Sequence, residues 1–318
     1  MPRLSRCARD SAKRAFLLLH KALLRCGVIV LPVHYYAPVT TVRELEKTRG
    51  LWERKSDLPG IAVDIDAQLA RLEAICVPYR QEYTGNAEYR RAVGLGAGPG
   101  YGFIEAQVLH AFVRAHKPRR VIEIGSGVST LCIAQAAVRN EGEGAHACEI
   151  MCVEPHPSDV LKRMQGVTLL EVPVQRVPLD VFEQLDRGDV LFIDSSHVVR
   201  VGGDVNYLVL EVLPRLRPGV IVHFHDIYLP YDYPRDVLHT FYHGQETSLV
   251  RAYLIGNPSV RILFCLSQLH YERSQALTAL FPEYDPEPST DGMAPGPAFS
   301  QTTRHFPSAL YIEVIARP

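Results

Sequence analysis

The stretch Val121-Ile-Glu-Ile-Gly-Ser-Gly-Val-Ser-Thr130 decides the fold of this chain. Apolar residues lead into two glycines, Gly125 and Gly127, and a segment with helical spacing follows. A strand that ends in a glycine turn and enters a helix forms a cradle for a nucleotide-like ligand. Glycine lets the backbone approach the ligand, and the start of the helix offers unpaired N–H groups. We therefore expect Gly125, Ser126 and Gly127 to bind a nucleotide-like cofactor.

Two positions distinguish this turn from the dinucleotide-binding fingerprint. That fingerprint has a third glycine three residues after the second, and this chain has Thr130 there. Glu123 lies two residues before the first glycine, which produces the pattern E-x-G-x-G. The pattern resembles the first motif of the class I S-adenosylmethionine (SAM) methyltransferases. The resemblance implies that Glu123 belongs to the cofactor site and that SAM is the cofactor.

Strand-like and helix-like segments alternate from about residue 119 to residue 267. Short apolar strands separated by helices predict a parallel sheet covered on both faces, joined by right-handed crossovers. A late strand at 310–315 suggests an antiparallel pair at the sheet edge. The expected strands are 120–124, 148–153, 167–172, 189–193, 219–224 and 260–266. The expected helices between them are 128–139, 157–164, 178–185, 203–216 and 246–256.

The preceding third of the chain is expected to be a helical and loop extension. Residues 41–53, 64–74 and 103–115 have helical periodicity, and the glycine-rich run 94–102 is a joint or a lid. We therefore divide the chain into an extension over residues 1–100 and a second domain over residues 101–318. A proline-rich stretch near residues 283–308 is expected to be a long loop.

Composition excludes several classes of function. The chain has 318 residues, of which 47% are hydrophobic, and a formal net charge of −1. A dedicated nucleic-acid surface needs clustered cations, so we expect no nucleic-acid partner. The seven cysteines are scattered without a C-x-x-C pair, which favours reduced thiols in a cytoplasmic protein. We also expect a homo-oligomer.

The N-terminal 25 residues are strongly basic, with seven Lys and Arg residues against Asp10 alone. Charged residues interrupt the apolar stretch, so it is too short to span a bilayer, and no signal-peptide cleavage pattern follows. The sequence leaves three alternatives open. The segment is a helix packed on the core or on a partner subunit, an amphipathic helix in peripheral contact with an anionic membrane, or a partly disordered tail.

Residues after the second and third expected strands complete the predicted cofactor site. In an open α/β sheet, ligands bind beyond the carboxyl ends of the strands. Glu154 follows the second strand, where a carboxylate accepts both ribose hydroxyls. Gln175, after the third strand, is a candidate for the adenine edge. Tyr101 and Glu105, beside the glycine joint, are candidates to close over the methionine end.

The fourth and fifth strands bring further polar residues to the same edge. Leu191-Phe-Ile-Asp-Ser-Ser-His197 delivers Asp194 and His197, and Val222-His-Phe-His-Asp226 delivers His225 and Asp226. Two carboxylates and an imidazole, from Asp194, His225 and Asp226, make a divalent-metal set. His197 is then free to act as general base, with Asp194 beside it, because its ordinary pKa is near neutrality. Each histidine also has a structural alternative, and His223 is expected to be structural.

Taken together, residues 100–318 resemble a methyltransferase-24-type class I SAM methyltransferase. Glu-Ile-Gly-Ser-Gly-Val-Ser-Thr and Phe-Ile-Asp-Ser-Ser-His carry this resemblance. It implies an α/β, Rossmann-like sheet of seven strands in the order 3-2-1-4-5-7-6, with strand 7 antiparallel and helices on both faces.

The spacing of Asp194 and His197 is also similar to that of metal-dependent sugar O-methyltransferases. In those enzymes the Asp binds magnesium, the His deprotonates the sugar hydroxyl, and an acidic pair after strand five completes the metal site. Here that pair is His225-Asp226, and a nitrogen ligand shifts the preference from magnesium toward a transition metal. The resemblance implies O-methylation of a small-molecule acceptor that contains or is linked to a carbohydrate. The alternatives are a metal-dependent hydroxylase on the same fold and a membrane-associated scaffold.

Overall fold

The computed structural model describes residues 6–98, 100–240, 243–287, 292–294 and 304–316. Contacts within the chain divide it into two compact units, Met1–Arg49 and Gly50–Pro318. The structure does not test the domain boundary that the sequence suggests at residue 100, and that boundary remains a prediction.

A seven-stranded sheet forms the centre of the larger unit. Its order is 3-2-1-4-5-7-6, with parallel pairing throughout except that strand 7 runs antiparallel to strands 5 and 6. The expected fold class and strand order are therefore confirmed. The strands are β1 (Arg120–Ile124), β2 (Glu149–Val153), β3 (Val167–Leu170), β4 (Val190–Ile193), β5 (Ile221–Phe224), β6 (Val260–Cys265) and β7 (Leu310–Val314).

Apolar side chains on both faces of the central strands hold the sheet between two layers of helices. Every residue of β4 and β5 is buried, as a strand covered on both faces requires. One apolar cluster includes Phe112 and Tyr311, and the cluster on the other face includes Leu191 and Phe224. These two layers fix the carboxyl ends of β1, β4 and β5 side by side.

The helices of the larger unit cover the sheet and extend before it. The helix expected over 203–216 is divided into an α-helix, a π-helical turn at Leu208–Val212 and a 3₁₀ turn at Leu213–Arg215. Pro214 has no N–H to donate within that last turn. The α-helices are α3 (Ile65–Cys76), α4 (Arg80–Tyr83), α5 (Ala87–Gly94), α6 (Phe103–His116), α7 (Val128–Gly142), α8 (Asp159–Lys162), α9 (Leu179–Glu183), α10 (Asp204–Tyr207), α11 (Glu246–Leu254), α12 (Leu266–Glu272) and α13 (Ser274–Leu280).

Helices α4, α5, α12 and α13 were not expected from the sequence. None of them begins with a side-chain cap, so the usual start signal is missing. Helix α12 begins at the residue after β6. The apolar run 260–266 predicts the strand, but no capping residue marks the start of the helix that follows it. In the described part of the stretch 283–308, an isolated bridge between Pro286 and His305 is the regular pairing present, which agrees with the expected loop.

The smaller unit contains α1 (Arg6–Leu24) and most of α2 (Val42–Trp52). Among the helices that the structure describes, none is both long and apolar enough to cross a membrane. Six of the seven cysteines are free thiols, at positions 26, 76, 132, 148, 152 and 265.

Candidate functional site

The turn after β1 has a shape that only glycine permits. Gly125 adopts a φ of +77°, and a Cβ there would lie 1.8 Å from the carbonyl oxygen of Asp194. A Cβ on Gly127 would lie 2.8 Å from the carbonyl oxygen of Ala97. The N–H of Ser126 donates to a carboxylate oxygen of Glu154 at 3.3 Å. The turn therefore brings bare backbone and a carboxylate from β2 to one edge of the sheet.

Glu123 supports this turn from below. Its side chain is fully buried, accepts a hydrogen bond from the hydroxyl of Thr130 at 2.6 Å, and lies 3.5 Å from the thiol of Cys152. The Thr130 hydroxyl in turn accepts the N–H of Gly127 at 3.0 Å. Burial raises the pKa of Glu123 to about 7. Glu123 therefore shapes the glycine turn from beneath. Its side chain does not line the cavity above the turn, so at the expected cofactor site it supports the turn.

A cavity of about 400 Å³ lies above the turn and is called the turn cavity here. The hydroxyl oxygen of Ser126 is buried beside it and has no hydrogen-bond partner among the described residues. A bare backbone, an unpartnered hydroxyl and a carboxylate fit a nucleoside-like ligand. The sequence-predicted residues that line this cavity are Tyr101, Gly125, Ser126, Gly127, Glu154, Asp194, His197 and Asp226.

Two of the predicted cofactor residues lie away from the turn cavity. Gln175 sits in a 3₁₀ turn, and its amide donates to the carbonyl of Gly202 at 2.9 Å. Glu105 accepts hydrogen bonds from the N–H and hydroxyl of Ser308, and it lines a different cavity. The structure does not bring Gln175 or Glu105 to the glycine turn, because both side chains are held by other loops.

Four side chains from the ends of β4 and β5 converge on one point. Oδ1 of Asp194 lies 3.3 Å from Nε2 of His197 and 3.3 Å from Nδ1 of His225. Oδ2 of Asp226 lies 3.6 Å from Nε2 of His197 and 3.8 Å from Nδ1 of His225. The loop positions chosen from the sequence therefore lie together at one edge of the sheet.

Three of the four converging residues could hold a metal ion. Within the described ranges, Asp194, His197 and His225 offer ligand atoms that all lie within 4.8 Å of one another. Two nitrogens and carboxylate oxygens suit a transition metal better than magnesium. The possible donor set in the structure thus combines Nε2 of His197 with Asp194 and His225, and it does not include Asp226, which the sequence also predicted.

A residue that the sequence did not indicate holds the other side of His197. Nδ1 of His197 lies 2.7 Å from Oε2 of Glu246, which is the first residue of α11. Burial alone lowers the pKa of His197, but hydrogen bonds to Asp194 and Glu246 and the charge of Asp226 raise it well above its ordinary value. Glu246 follows β5 by about twenty residues at no strand end, so no sequence pattern marks it.

His225 is held at both ring nitrogens. Besides its contact with Asp194, its Nε2 lies 3.2 Å from a carboxylate oxygen of Glu105. Burial lowers the pKa of His225, but the charges of Asp226, Asp194 and Glu105 raise it well above the ordinary value. His225 is 3% exposed, so it acts from inside the wall of the site. His223 stacks on Phe192 at 4.0 Å within β5, in agreement with its expected structural role.

The backbone is strained at two of the converging residues. His197 has a φ of +58° and Asp226 a φ of +53°, a region that residues other than glycine seldom adopt. Neighbouring contacts hold both: the carbonyl of His197 accepts the N–H of Gln245 at 2.9 Å, and Asp226 accepts the hydroxyl of Ser308 at 2.9 Å. Strain that the surrounding structure maintains is common at functional sites.

A larger cavity of about 770 Å³ adjoins the turn cavity. His197 and Asp226 line both cavities, so they stand at the junction. Arg235 forms part of the wall of the larger cavity. Its guanidinium carbon lies 3.9 Å from the ring centre of Phe306, and its Nη1 donates to Oε2 of Glu287 at 2.6 Å. Other lining residues are Tyr89, Phe103, Tyr228, Asp236, Glu246, Arg304 and His305.

A comparison with known protein families matches the part of the chain that contains this site. The segment 122–227, which runs from β1 to the loop after β5, matches a family model described as a methyltransferase domain, of the methyltransferase-24 type. This segment is therefore similar to methyltransferase domains. The resemblance inferred from E-x-G-x-G and the Asp194 loop is confirmed over these residues.

The chain is also similar to one curated protein and to solved methyltransferase structures, all at low sequence identity. An uncharacterised protein of Archaeoglobus fulgidus is 28% identical over 174 residues, which are 50% of this chain and 75% of that protein. An O-methyltransferase from Bacillus cereus, solved with S-adenosylhomocysteine (SAH), shares 14% identity with a TM-score of 0.39, and the match covers 61% of this chain and 90% of that one. The MycE methyltransferase of the mycinamycin biosynthetic pathway was solved with Mg, SAH and mycinamycin VI. It shares 13% identity with a TM-score of 0.36, and the match covers 72% of this chain and 54% of MycE.

Proposed function

We propose that this protein transfers a methyl group from SAM, bound in the turn cavity, to a hydroxyl group of a small molecule in the larger cavity. The observation that carries the proposal is that His197 and Asp226 line both cavities. A group at that junction lies beside the point where the donor methyl group and the acceptor oxygen would meet. Holding two reactants in line at one junction accounts for much of the acceleration in such a transfer.

The glycine turn and Glu154 form the donor half of the site. SAM supplies an electrophilic methyl group when it is bound. The carboxylate of Glu154 accepts the N–H groups of Ser126 at 3.3 Å and His156 at 2.7 Å, which fixes its orientation. Its remaining lone pairs are available for the two ribose hydroxyls.

His197 is the proposed general base. Glu246 holds its Nδ1, so Nε2 faces the junction of the two cavities. The acceptor hydroxyl would lose its proton to Nε2 as its oxygen bonds to the methyl carbon, and the methyl–sulfur bond would break to release SAH. The imidazole must be neutral to accept this proton. The positive charge of SAM bound in the turn cavity would lower the pKa of His197 and so favour the neutral imidazole. Asp194 and Asp226 stabilise the imidazolium that results.

Substitution of His197 by glutamine tests this assignment. We expect His197→Gln to bind SAH with unchanged affinity by calorimetry, while SAH release in the presence of a panel of hydroxylated acceptors falls by roughly 100-fold or more. The control is His146→Gln, at an exposed position. Full turnover in His197→Gln, with SAH binding intact, would show that His197 is not the base.

The acceptor is proposed to be a compound that contains or is linked to a carbohydrate. The larger cavity combines the aromatic rings of Tyr228 and Phe306, centred 6.3 Å apart, with the charged side chains of Arg235 and Asp236. Aromatic walls with a few polar groups are typical of small-molecule sites. Competition by sugar nucleotides and simple glycosides in the SAH-release assay tests the class; no effect from any of them would exclude it.

A metal-dependent reaction without methyl transfer is the second candidate. It is favoured by the ligand atoms of Asp194, His197 and His225, which lie within 4.8 Å of one another and fit a divalent transition metal. Such a metal would act as a Lewis acid at the junction. Elemental analysis of the purified protein and a labelled-SAM assay separate the candidates. Bound iron with no labelled product supports the second, and methyl transfer by chelator-treated protein supports the first.

The proposal includes a cytoplasmic homo-oligomer. Six free thiols, at positions 26, 76, 132, 148, 152 and 265, are consistent with the reducing compartment that we propose. Light scattering on the purified protein tests the oligomer, and a monomeric mass at micromolar concentration would contradict it.

A further inference from the structure

Exposed apolar side chains are concentrated in the smaller unit. Of the 22 large apolar and aromatic side chains exposed in the described part of the chain, 12 lie between residues 17 and 42. Leu18 is 69% exposed, Ile29 68% and Tyr35 91%. Single exposed apolar residues are ordinary on a soluble protein, but a contiguous group marks a surface that binds something.

The same segment is positively charged. No Asp or Glu occurs between residues 11 and 43, whereas Lys13, Arg14, Lys21 and Arg25 are all exposed. Three of these cations lie on α1, and the fourth follows its end. Residues 10–42 are called the basic apolar segment below.

We propose that the basic apolar segment binds the surface of an anionic lipid bilayer. Such a surface attracts Lys and Arg electrostatically and accepts apolar side chains at the boundary of headgroups and acyl chains. Helix α1 is not apolar enough to cross the membrane, so the contact is peripheral. The proposal depends only on residues 10–42 and stands whether or not the chain transfers methyl groups.

Two other occupants fit the segment less well. Nucleic acid would be matched by the cations but would leave the exposed leucines in water. A second copy of the same segment would match the leucines but would bring like charges together. A bilayer that contains acidic lipid matches both properties at once.

Co-sedimentation of the full chain with vesicles tests the proposal. We expect binding to vesicles of 70% phosphatidylcholine and 30% phosphatidylserine, about tenfold weaker binding to pure phosphatidylcholine, and weaker binding at 0.5 M than at 0.05 M salt. Equal binding to both compositions, or none to either, would overturn the proposal. Sedimentation velocity and a labelled RNA serve as parallel readouts. Self-association or RNA binding without vesicle binding would assign the surface to those partners instead.

Two double variants separate the electrostatic and apolar contributions. Lys21→Glu with Arg25→Glu should lower vesicle binding roughly tenfold or more and abolish its salt dependence. Leu18→Asp with Leu19→Asp should lower it while circular dichroism shows the fold retained. The matched control is Val201→Asp with Leu210→Asp, which changes exposed apolar residues in the larger unit. Equal loss in the control, or full binding by both test variants, would contradict the assignment.

Discussion

Nδ1 of His197 lies 2.7 Å from Oε2 of Glu246, and the Glu246 side chain is only 2% exposed. The two residues are 49 positions apart and belong to the loop after β4 and to the start of α11. Ser195 donates to the second oxygen of the same carboxylate at 3.1 Å. Glu246 therefore orients His197 with a buried charge, and we regard it as a positioning residue.

The pH dependence of turnover should report this pair. Hydrogen bonds and charges from Asp194, Glu246 and Asp226 outweigh burial and raise the pKa of His197 above its ordinary value of 6.5. Because the base must be neutral, the rate should rise with pH through a midpoint above that value. Glu246→Gln removes one of the carboxylates that raise the pKa, so the midpoint should move to lower pH. SAH release measured from pH 5 to 10 with chelator-treated protein checks this.

Glu73→Gln, at an exposed position of α3, is the control and should keep the wild-type midpoint. An identical pH profile in Glu246→Gln would mean that Glu246 does not act through His197.

Substitution of Gly125 should remove donor binding. A Cβ there would lie 1.8 Å from the backbone oxygen of Asp194, and the positive φ adds strain of about 1 kcal/mol or more. Gly125→Ala is expected to lose SAH binding by calorimetry and to lower the melting temperature. Gly142→Ala, at the end of α7 with no neighbour within 4 Å, should be neutral or slightly stabilising. SAH binding that survives in Gly125→Ala would refute the proposed cradle.

Glu123 should make stability depend on pH. Burial raises its pKa from 4.5 to about 7, so the folded state holds the proton more tightly than the unfolded state. This contribution to stability is complete below pH 4.5 and is lost as the pH rises to about 7. Glu123→Gln lacks the effect, so wild-type protein should lose about 3 kcal/mol of unfolding free energy relative to this variant between pH 4.5 and 8. Urea unfolding across that range is the measurement, and parallel curves for the two proteins would contradict it.

Glu154 should contribute to donor affinity. A hydrogen bond from a hydroxyl to a charged group contributes about 1.5–3 kcal/mol, so Glu154→Gln should weaken SAH binding by roughly 10- to 100-fold. Glu183→Gln, at an exposed position of α9, should bind as wild type does. Calorimetric titration with SAH compares the three proteins. Unchanged affinity in Glu154→Gln would remove this carboxylate from the proposed donor site.

Much of the fold was predictable because the pattern of the strands is local. Runs such as Val190–Ile193 are apolar throughout, and this indicates a strand buried on both faces. The alternation of strands and helices then predicts a parallel sheet, and the resemblance to methyltransferases supplied the order that the structure confirms. Helix α12 was missed because it continues directly from β6 without a cap.

The candidate site was predictable only in part. Asp194, His197 and Asp226 were found because the carboxyl ends of neighbouring parallel strands must meet. Gln175 was expected at the adenine by the same rule, but its loop turns so that its amide binds the carbonyl of Gly202. Glu246 could not be found in this way, since it enters the site from a helix rather than from a strand end.

The sequence by itself determined the glycine turn, the strands that lead to it and the identity of the side chains at their ends. These follow from local rules of backbone conformation and burial. The tertiary structure alone decided that Glu123 lies beneath the turn, that Glu246 orients His197, and that His197 and Asp226 stand between two cavities. Those relationships depend on how distant loops pack against one another, and packing between distant segments leaves no periodic signal in the chain.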